Sequence, residues 1–316
     1  MVPSTGGLIP FEVPAGLLAS GDRDEGWQPW LDALPRLVRD VVEEWELTYD
    51  GAPRHGFCAL VVPVRTTGGR PAMLKLSWPH DEEEHEHVAL ETLRGNGMVR
   101  LYRADPRRHV MLLERLHADE DLRCLPVDEA CGVVAGLYRR IHVPAPPQLR
   151  PLTGYVDRWA VGLSKLARDA PIPRRLVEQA IALSRDFVAD PASVGTMIHG
   201  DLHYENVLVG DREPWLVIDP KPMSGDPHYE VAPILWNRWE EAVASGDVRE
   251  EVRRRFFLLV DAAELDEDRA RDWVVVREVD NALWTVQDAE RARRRLDAED
   301  REWITRCVTI AKAVQD

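Results

Sequence analysis

No run of about 18 or more apolar residues, the least that a membrane-spanning helix requires, occurs in this 316-residue chain. The N-terminal stretch "MVPSTGGLIPFEVPAG" also lacks a basic leader and a long apolar run, so neither a signal peptide nor an anchor is expected. Cysteine is scarce: there are four, none in a Cys-x-x-Cys pair, and a reduced cytoplasmic setting is the simplest expectation. Positive charge is in deficit, with 40 Lys and Arg against 55 Asp and Glu and a net charge of -15. Such a chain repels nucleic-acid backbones and anionic membranes, which excludes both as main partners and leaves cationic small molecules as compatible ones. Internal repeats and low-complexity segments are absent too. What is present is 45% apolar residues, ample for packed cores at a length that suggests two domains or lobes.

The apolar pattern divides the chain near residue 116. Within "WQPWLDALPRLVRDVVEEW" (27–45), Trp30, Leu34, Leu37, Val38, Val41 and Trp45 fall at helical spacing, with Pro35 as a break or a start. "WELTY", "ALVVPVR" and "AMLKLSW" read as strands of an antiparallel meander, and "VMLLERL" as a further strand. Between them, "DEEEHEHVALETLRGNG" predicts a helix with an acidic first turn and a glycine stop. After this the pattern turns helical. Asp128 is expected to cap a helix whose inner face carries Cys131, Val134, Tyr138 and Ile141, and Leu176, Ala180, Leu183 and Phe187 mark another. Residues 1–115 thus form a mostly β part with a helical lead-in, and 116–316 a mainly helical part, an α+β chain overall.

One strand signal interrupts the helical part. In "HGDLHYENVLVGDREPWLVIDPKPMSGDP" (199–227), two short apolar runs flank the turn "GDREP", predicting a hairpin folded about Arg212 that sets Asn206 opposite Asp219. An amide oxygen and a carboxylate at the open end of a hairpin can hold a hard cation such as Mg2+. Asp201, five residues before Asn206, is placed to accept a proton or orient a hydroxyl while a metal-bound phosphate is attacked.

The pattern H-x-D-L-x-x-x-N with an Asp 13 residues after the Asn resembles the catalytic segment of the protein-kinase fold. Gly200 and Pro220 replace the Arg and Phe of protein kinases, as in aminoglycoside phosphotransferases. "WELTYDGAPRHGFCALVVPV", "AMLKLSWP", "MLLERL", "HGDLHYENVL" and "WLVIDPKPMSGDP" are more closely similar to the streptomycin phosphotransferase group among aminoglycoside and hydroxyurea resistance kinases. This resemblance extends from Trp45 to about Trp239. It implies a bilobal kinase-like fold: a small antiparallel sheet with one regulatory-type helix in a nucleotide-binding N-lobe, then a larger helical C-lobe with the catalytic loop, metal site and substrate pocket. It implies ATP and Mg2+ as cofactors, Asp201 as the catalytic base, and Asn206 and Asp219 as Mg2+ ligands. His199 is expected to pack the loop without a catalytic part.

Strand alternation sends Lys75 away from the face of Leu74 and Leu76, and by resemblance Lys75 is the lysine on the α- and β-phosphates. Its partner is then expected on the following helix, where Glu86 shares a face with Ala89, Leu90 and Leu93 and Glu91 does not. The backbone of Glu114 and Leu116 is expected at the adenine. Gly51 and Gly56 offer no G-x-G-x-x-G pattern, so "DGAPRHGF" is equally a plain hairpin turn or a phosphate-covering loop. Glu205 stands where close relatives are expected to have glycine, with either a changed backbone angle or added charge as its consequence. Gly200 and the short "DPKPMSGDP" predict a kinase without a phosphorylation switch.

The acceptor implied is an aminoglycoside-like alcohol, streptomycin at its streptidine 6-hydroxyl, with hydroxyurea, an amino sugar or another metabolite as alternatives. Asp157, Trp159, Trp236, Trp239, Asp280, Trp284 and Asp288 are of the right kind to receive a guanidinium or ammonium group, and none is assigned. Two rivals from other classes are a kinase-like binding protein without turnover and a binuclear metal hydrolase built on His199, Asp201 and His203. The chain is expected to be monomeric.

Overall fold

The computed structural model describes residues 9–19, 26–81 and 84–315. The chain forms two compact units, one of residues 1–117 with 210–212 and the other of 118–209 with 213–316. The hairpin tip Gly210–Arg212 therefore belongs to the first unit, an excursion that a contiguous division at 115 does not contain.

In the first unit, α1 (Ala15–Ala19) and α2 (Trp27–Glu44) precede β1 (Thr48–Tyr49), β2 (Arg54–His55), β3 (Ala59–Arg65) and β4 (Pro71–Ser77). Then come α3 (Glu86–Leu93), β5 (Leu101–Asp105) and β6 (Val110–Glu114). The strands make one antiparallel sheet in the order β1-β3-β4-β6-β5, with β2 also on β3. Leu60, Val62 and Val64 of β3 and Ala72, Leu74 and Leu76 of β4 share one core with Leu31, Leu34, Val38 and Val41 of α2. Period 2 in the strands and period 3.6 in the helix put these residues on facing surfaces. Pro35 lies inside α2 and neither breaks nor begins it. A proline inside a helix costs about 3 kcal/mol, but the buried stripe on either side of it stays docked. Helix α3 starts at Glu86 and ends on Arg94 in the left-handed region (φ 51°), ahead of the glycine stop at Gly95. Of the expected acidic lead-in from Asp81, residues 82 and 83 lie outside the described residues.

The second unit takes up β7 (His117–Asp121) from Ala118, then α4 (Val127–Ile141), α5 (Leu152–Lys165) and α6 (Arg174–Ala189). Four short strands follow: β8 (Thr196–Ile198), β9 (Val207–Val209), β10 (Leu216–Val217) and β11 (Met223–Gly225). Helices α7 (Val231–Trp236), α8 (Trp239–Ala244), α9 (Val248–Ala263), α10 (Glu267–Arg291) and α11 (Ala298–Ala313) complete it. The N-cap of α4 is Pro126, not Asp128, whose carboxylate instead pairs with Arg254. β8, β11 and the exposed, charged β7 ("HADED") carry no apolar alternation and gave no strand signal. Leu152, Val156, Phe187, Ile198, Tyr229, Trp273 and Val276 form a core around the pair β8–β11, with Phe187 stacked on Trp273 at 3.8 Å.

Candidate active site

In the first unit, β4 pairs Lys75 with Val61 on one side and Met111 on the other, and its side chain leaves the sheet opposite Leu74 and Leu76. There Lys75 Nζ meets Glu86 Oε2 at 2.5 Å, with residue exposures of 5% and 1%. A pair this buried holds only with both charges in place, because removing one leaves the other desolvated and uncompensated. Glu91 is exposed and takes no part. At the end of β6, the Glu114 amide donates to Arg100 O (2.8 Å), and its carboxylate accepts from Arg212 Nε (3.1 Å) and Nη2 (3.0 Å). Arg212 also caps the carbonyls of Gly95 and Met98, so the hairpin tip is bonded to the α3–β5 connection of its own unit. Leu116 is half-buried just beyond. Gly51 has φ 147° and Gly56 donates to Ala59 O across a tight turn between β2 and β3. A cavity of about 420 Å3 against α3, lined by Leu90, Glu91, Arg94, Arg100 and Leu101, contains none of the expected site residues.

In the second unit, β8 delivers the chain to His199 at Ile198, and β11 pairs back on it. The His199 ring is buried: Nε2 donates to Ile218 O (2.9 Å) while Nδ1 accepts the Asp201 amide (3.2 Å). Burial lowers its pKa, so the neutral ring bridges the loop to the hairpin, which is a packing role. Gly200 has φ 85°, and a Cβ there would lie 2.3 Å from Lys221 O. Only glycine fits. Its amide donates to Glu230 Oε1 (2.6 Å) and its carbonyl accepts from Arg277 Nη2 (2.7 Å). The same guanidinium lies 3.9 Å from Asp201 Oδ1 and over the rings of Tyr229 (4.2 Å) and Trp236 (5.0 Å). Burial alone would raise the Glu230 carboxyl, but the hydrogen bond from His142 and the donors around it hold it below the usual range. The Asp201 carboxylate remains part-exposed.

The Asn206 amide donates to Asp201 O (2.9 Å), which fixes the side chain and turns its oxygen outward from that bond. The hairpin register is Leu208 to Leu216 and Val207 to Val217, and the Ile218 amide donates to Asn206 O. Asn206 is therefore opposite Ile218, and Asp219 is one residue past the expected position. The φ of 56° at Asp219 turns the chain there, and Lys221 Nζ sits 3.3 Å from both its carboxylate oxygens. A fixed amide oxygen and a carboxylate that already attracts a cation are hard donors of the kind Mg2+ takes.

Glu205 has ordinary backbone angles in a 3-10 turn and is bonded to His203 Nδ1 (2.9 Å) and Asn237 Nδ2 (2.9 Å), with Arg123 at 3.1 Å. Burial would raise its carboxyl; the hydrogen bonds from His203 and Asn237 bring it down to about 2. Its charge is thus spent on its neighbours. His203 approaches Asp201 at 3.9 Å, while His228 is occupied by Asp226 (2.5 Å) and by the Asp266 amide. Among the described residues no group of three or more His, Cys, Asp or Glu is arranged to hold a metal, as a binuclear hydrolase would need.

Sequence reasoning missed Arg277, Glu230, Lys221 and Asp226. Asp226 accepts from Trp273 Nε1 (2.7 Å) and Arg269 Nε (2.5 Å) and ties the segment after the hairpin to α10. Arg277 and Glu230 meet the loop from outside the motif, where no local pattern marks them.

This pairing of an antiparallel N-terminal sheet with a mostly helical C-terminal part is the fold of the aminoglycoside phosphotransferases. It matches aminoglycoside phosphotransferase APH(4)-Ia, solved as a ternary complex with ADP and hygromycin B, with a TM-score of 0.56 at 17% identity, covering 87% of this chain and 97% of that one. Residues 44–289 match the aminoglycoside/hydroxyurea antibiotic resistance kinases, and the chain belongs to that family. It is a phosphotransferase with an alcohol group as acceptor. Streptomycin 6-kinase of Streptomyces glaucescens is 43% identical over 92% of this chain and 95% of its own length. Hydroxyurea phosphotransferase of Kitasatospora aureofaciens is 39% identical over 88% and 82%. No helix is long and apolar enough to cross a membrane, among the described residues.

Proposed function

We propose that this kinase transfers the γ-phosphoryl group of ATP to a hydroxyl of an aminoglycoside-like antibiotic, streptomycin at its streptidine 6-hydroxyl, and so inactivates it. The observation that carries this reading is the Asp201 carboxylate, held through its own loop by Arg277 and Asn206 yet open to solvent. The 43% identity to a streptomycin 6-kinase supports the acceptor.

In the first unit, Lys75 is the cation for the α- and β-phosphates, kept in place by Glu86, and the backbone at Glu114 and Leu116 meets the adenine. In the second, Asn206 Oδ1 and the Asp219 carboxylate are the ligands for Mg2+, which would offset phosphate charge when bound. Asp201 accepts the proton of the attacking hydroxyl as its oxygen bonds to the γ-phosphorus and the bond to the β-phosphate oxygen breaks, releasing ADP. Phosphoryl transfer asks a protein mainly for alignment and charge compensation, and the fixed loop supplies the first.

The 39% identical relative gives hydroxyurea a definite place as the second reading. Incubating the purified protein with Mg-ATP and streptomycin, other aminoglycosides, hydroxyurea or amino sugars separates them. The expected result is ADP formation with streptomycin and a phosphomonoester at its 6-hydroxyl. Turnover confined to hydroxyurea or to a metabolite would overturn the acceptor and leave the kinase.

A further inference from the structure

Helix α10 carries Arg277, Asp280, Trp284 and Asp288 along one stripe, since residues three and four apart share a helix face. Its first member donates to Gly200 O and stands 3.9 Å from the Asp201 carboxylate, so the stripe begins at the catalytic loop. Asp288, at its far end, is neutralised by Arg291 (3.6 Å) and Arg294 (3.1 Å). Asp280 is different. Among the described residues its carboxylate accepts no hydrogen bond and joins no ion pair, and Arg277 is the one charge acting on it. Arg277 spends its own donors on Gly200 and Tyr229.

Asp280 is only half-buried, unlike the sealed Glu278 two residues before it. Burial by the packed helices nonetheless pushes its carboxyl up to about 8. A carboxyl without a donor and with an opening to solvent is a poor structural element, and a cation docked beside it stabilises the ionised form and draws its proton off to solvent, which makes it a receptor for a cation. One turn further on, Trp284 is 56% exposed, and among the described residues it is the one exposed tryptophan and its ring stacks on no other aromatic ring. Beside the stripe, Trp159 of α5 stacks on Tyr229, the ring that also carries Arg277.

We propose that Asp280 and the face of Trp284 form the recognition point for a cationic, guanidinium-class group of the acceptor, on the stripe that starts at the catalytic loop. A guanidinium presents a planar fork of N–H donors to a carboxylate and a flat cationic face to an indole, which fits an aspartate and a tryptophan one turn apart. The inference rests on the reading of this chain as a kinase of a cationic aminoglycoside, and names the residues that would select it.

The test compares wild type with Asp280→Asn, Trp284→Ala and, as a control on the same stripe, Asp288→Asn. It measures streptomycin kinetics, ATP KM and calorimetric binding of streptomycin, with thermal melting to confirm folding. Because Asn cannot ionise when the cation docks, Asp280→Asn is expected to raise streptomycin KM and Kd by about ten- to hundredfold. Trp284→Ala, at an exposed position, raises both by roughly threefold. ATP KM changes by less than about twofold in every variant, as does streptomycin KM in Asp288→Asn. Unchanged streptomycin KM and Kd in Asp280→Asn, with a wild type that turns streptomycin over, would overturn this inference and leave the proposed function standing. A wild type that phosphorylates hydroxyurea but neither binds nor phosphorylates streptomycin would overturn both, before any variant is read.

Discussion

Arg277 does at one position what the sequence pattern assigns to none. Its guanidinium satisfies the Gly200 carbonyl at 2.7 Å, stacks on Tyr229 and lies 3.9 Å from Asp201, so it sets both the path of the loop and the charge beside the carboxylate. Arg277→Met leaves that carbonyl without its donor and Asp201 without its neighbouring cation. The expected result is a kcat lower by roughly 10^2-fold with ATP KM little changed, and partial recovery in Arg277→Lys, which restores the charge but not the fork. Steady-state kinetics of the two variants check this; equal damage to kcat in both, tracking the loss of melting temperature, would mean a structural role only. His199, Asp201 and Asn206 were legible because a loop of eight consecutive residues carries them. Arg277 and Glu230 were not, because tertiary packing alone brings them to the loop. The glycine at 200 was legible as a departure from protein kinases, but its reason, a left-handed φ against the Lys221 carbonyl, is a fact of three dimensions.

At the scale of elements, the hairpin shows how near a pattern comes to a register. The two apolar runs and the turn predict the pairing, yet nothing in them states which residues face each other, and Asn206 falls opposite Ile218 instead of Asp219. The left-handed turn at Asp219 is the local solution, and no residue type announces it. Short strands β8 and β11 escaped because no turn signal joins them, as "GDREP" joins the equally short β9 and β10; 24 residues separate them and they meet only through tertiary packing.

The seam between α10 and α11 makes a separate prediction. Glu278 is sealed there beside Cys307 and Asn281, neither of its oxygens has a hydrogen bond of ordinary geometry, and burial pushes its carboxyl up to about 8. The folded protein therefore keeps a proton that the unfolded chain releases near the ordinary glutamate value. Stability from this group is present below that value and declines as pH rises towards 8. Asp280, also raised to about 8, contributes with the same sign. Glu278→Gln, neutral at every pH and of the same shape, is expected to stabilise the protein at pH 8 by on the order of 2 kcal/mol and by much less at pH 5. Denaturant unfolding at the two pH values measures this, and an equal effect at both would contradict it.

Across the whole molecule, the change from strand pattern to helical pattern and the two motif regions were enough to read the fold class. The return of Gly210–Arg212 to the first unit was not readable, because it depends on Arg212 finding Glu114 and the carbonyls of Gly95 and Met98. The pairing of Lys75 with Glu86 was readable through the family resemblance, with strand alternation and the helical stripe choosing which side chains face inward, and the 2.5 Å pair joins them. The excess of acidic residues, which argued against polyanionic partners, suits a cationic acceptor.

In the proposed mechanism, Asp201 takes the proton from the acceptor hydroxyl. Single-turnover transfer of phosphate from Mg-ATP to streptomycin, followed in wild type and in Asp201→Asn with nucleotide binding measured beside it, tests this most directly. The expected transfer rate is lower by roughly 10^2- to 10^4-fold in the variant, with ATP affinity preserved. Transfer at the wild-type rate in Asp201→Asn would contradict it.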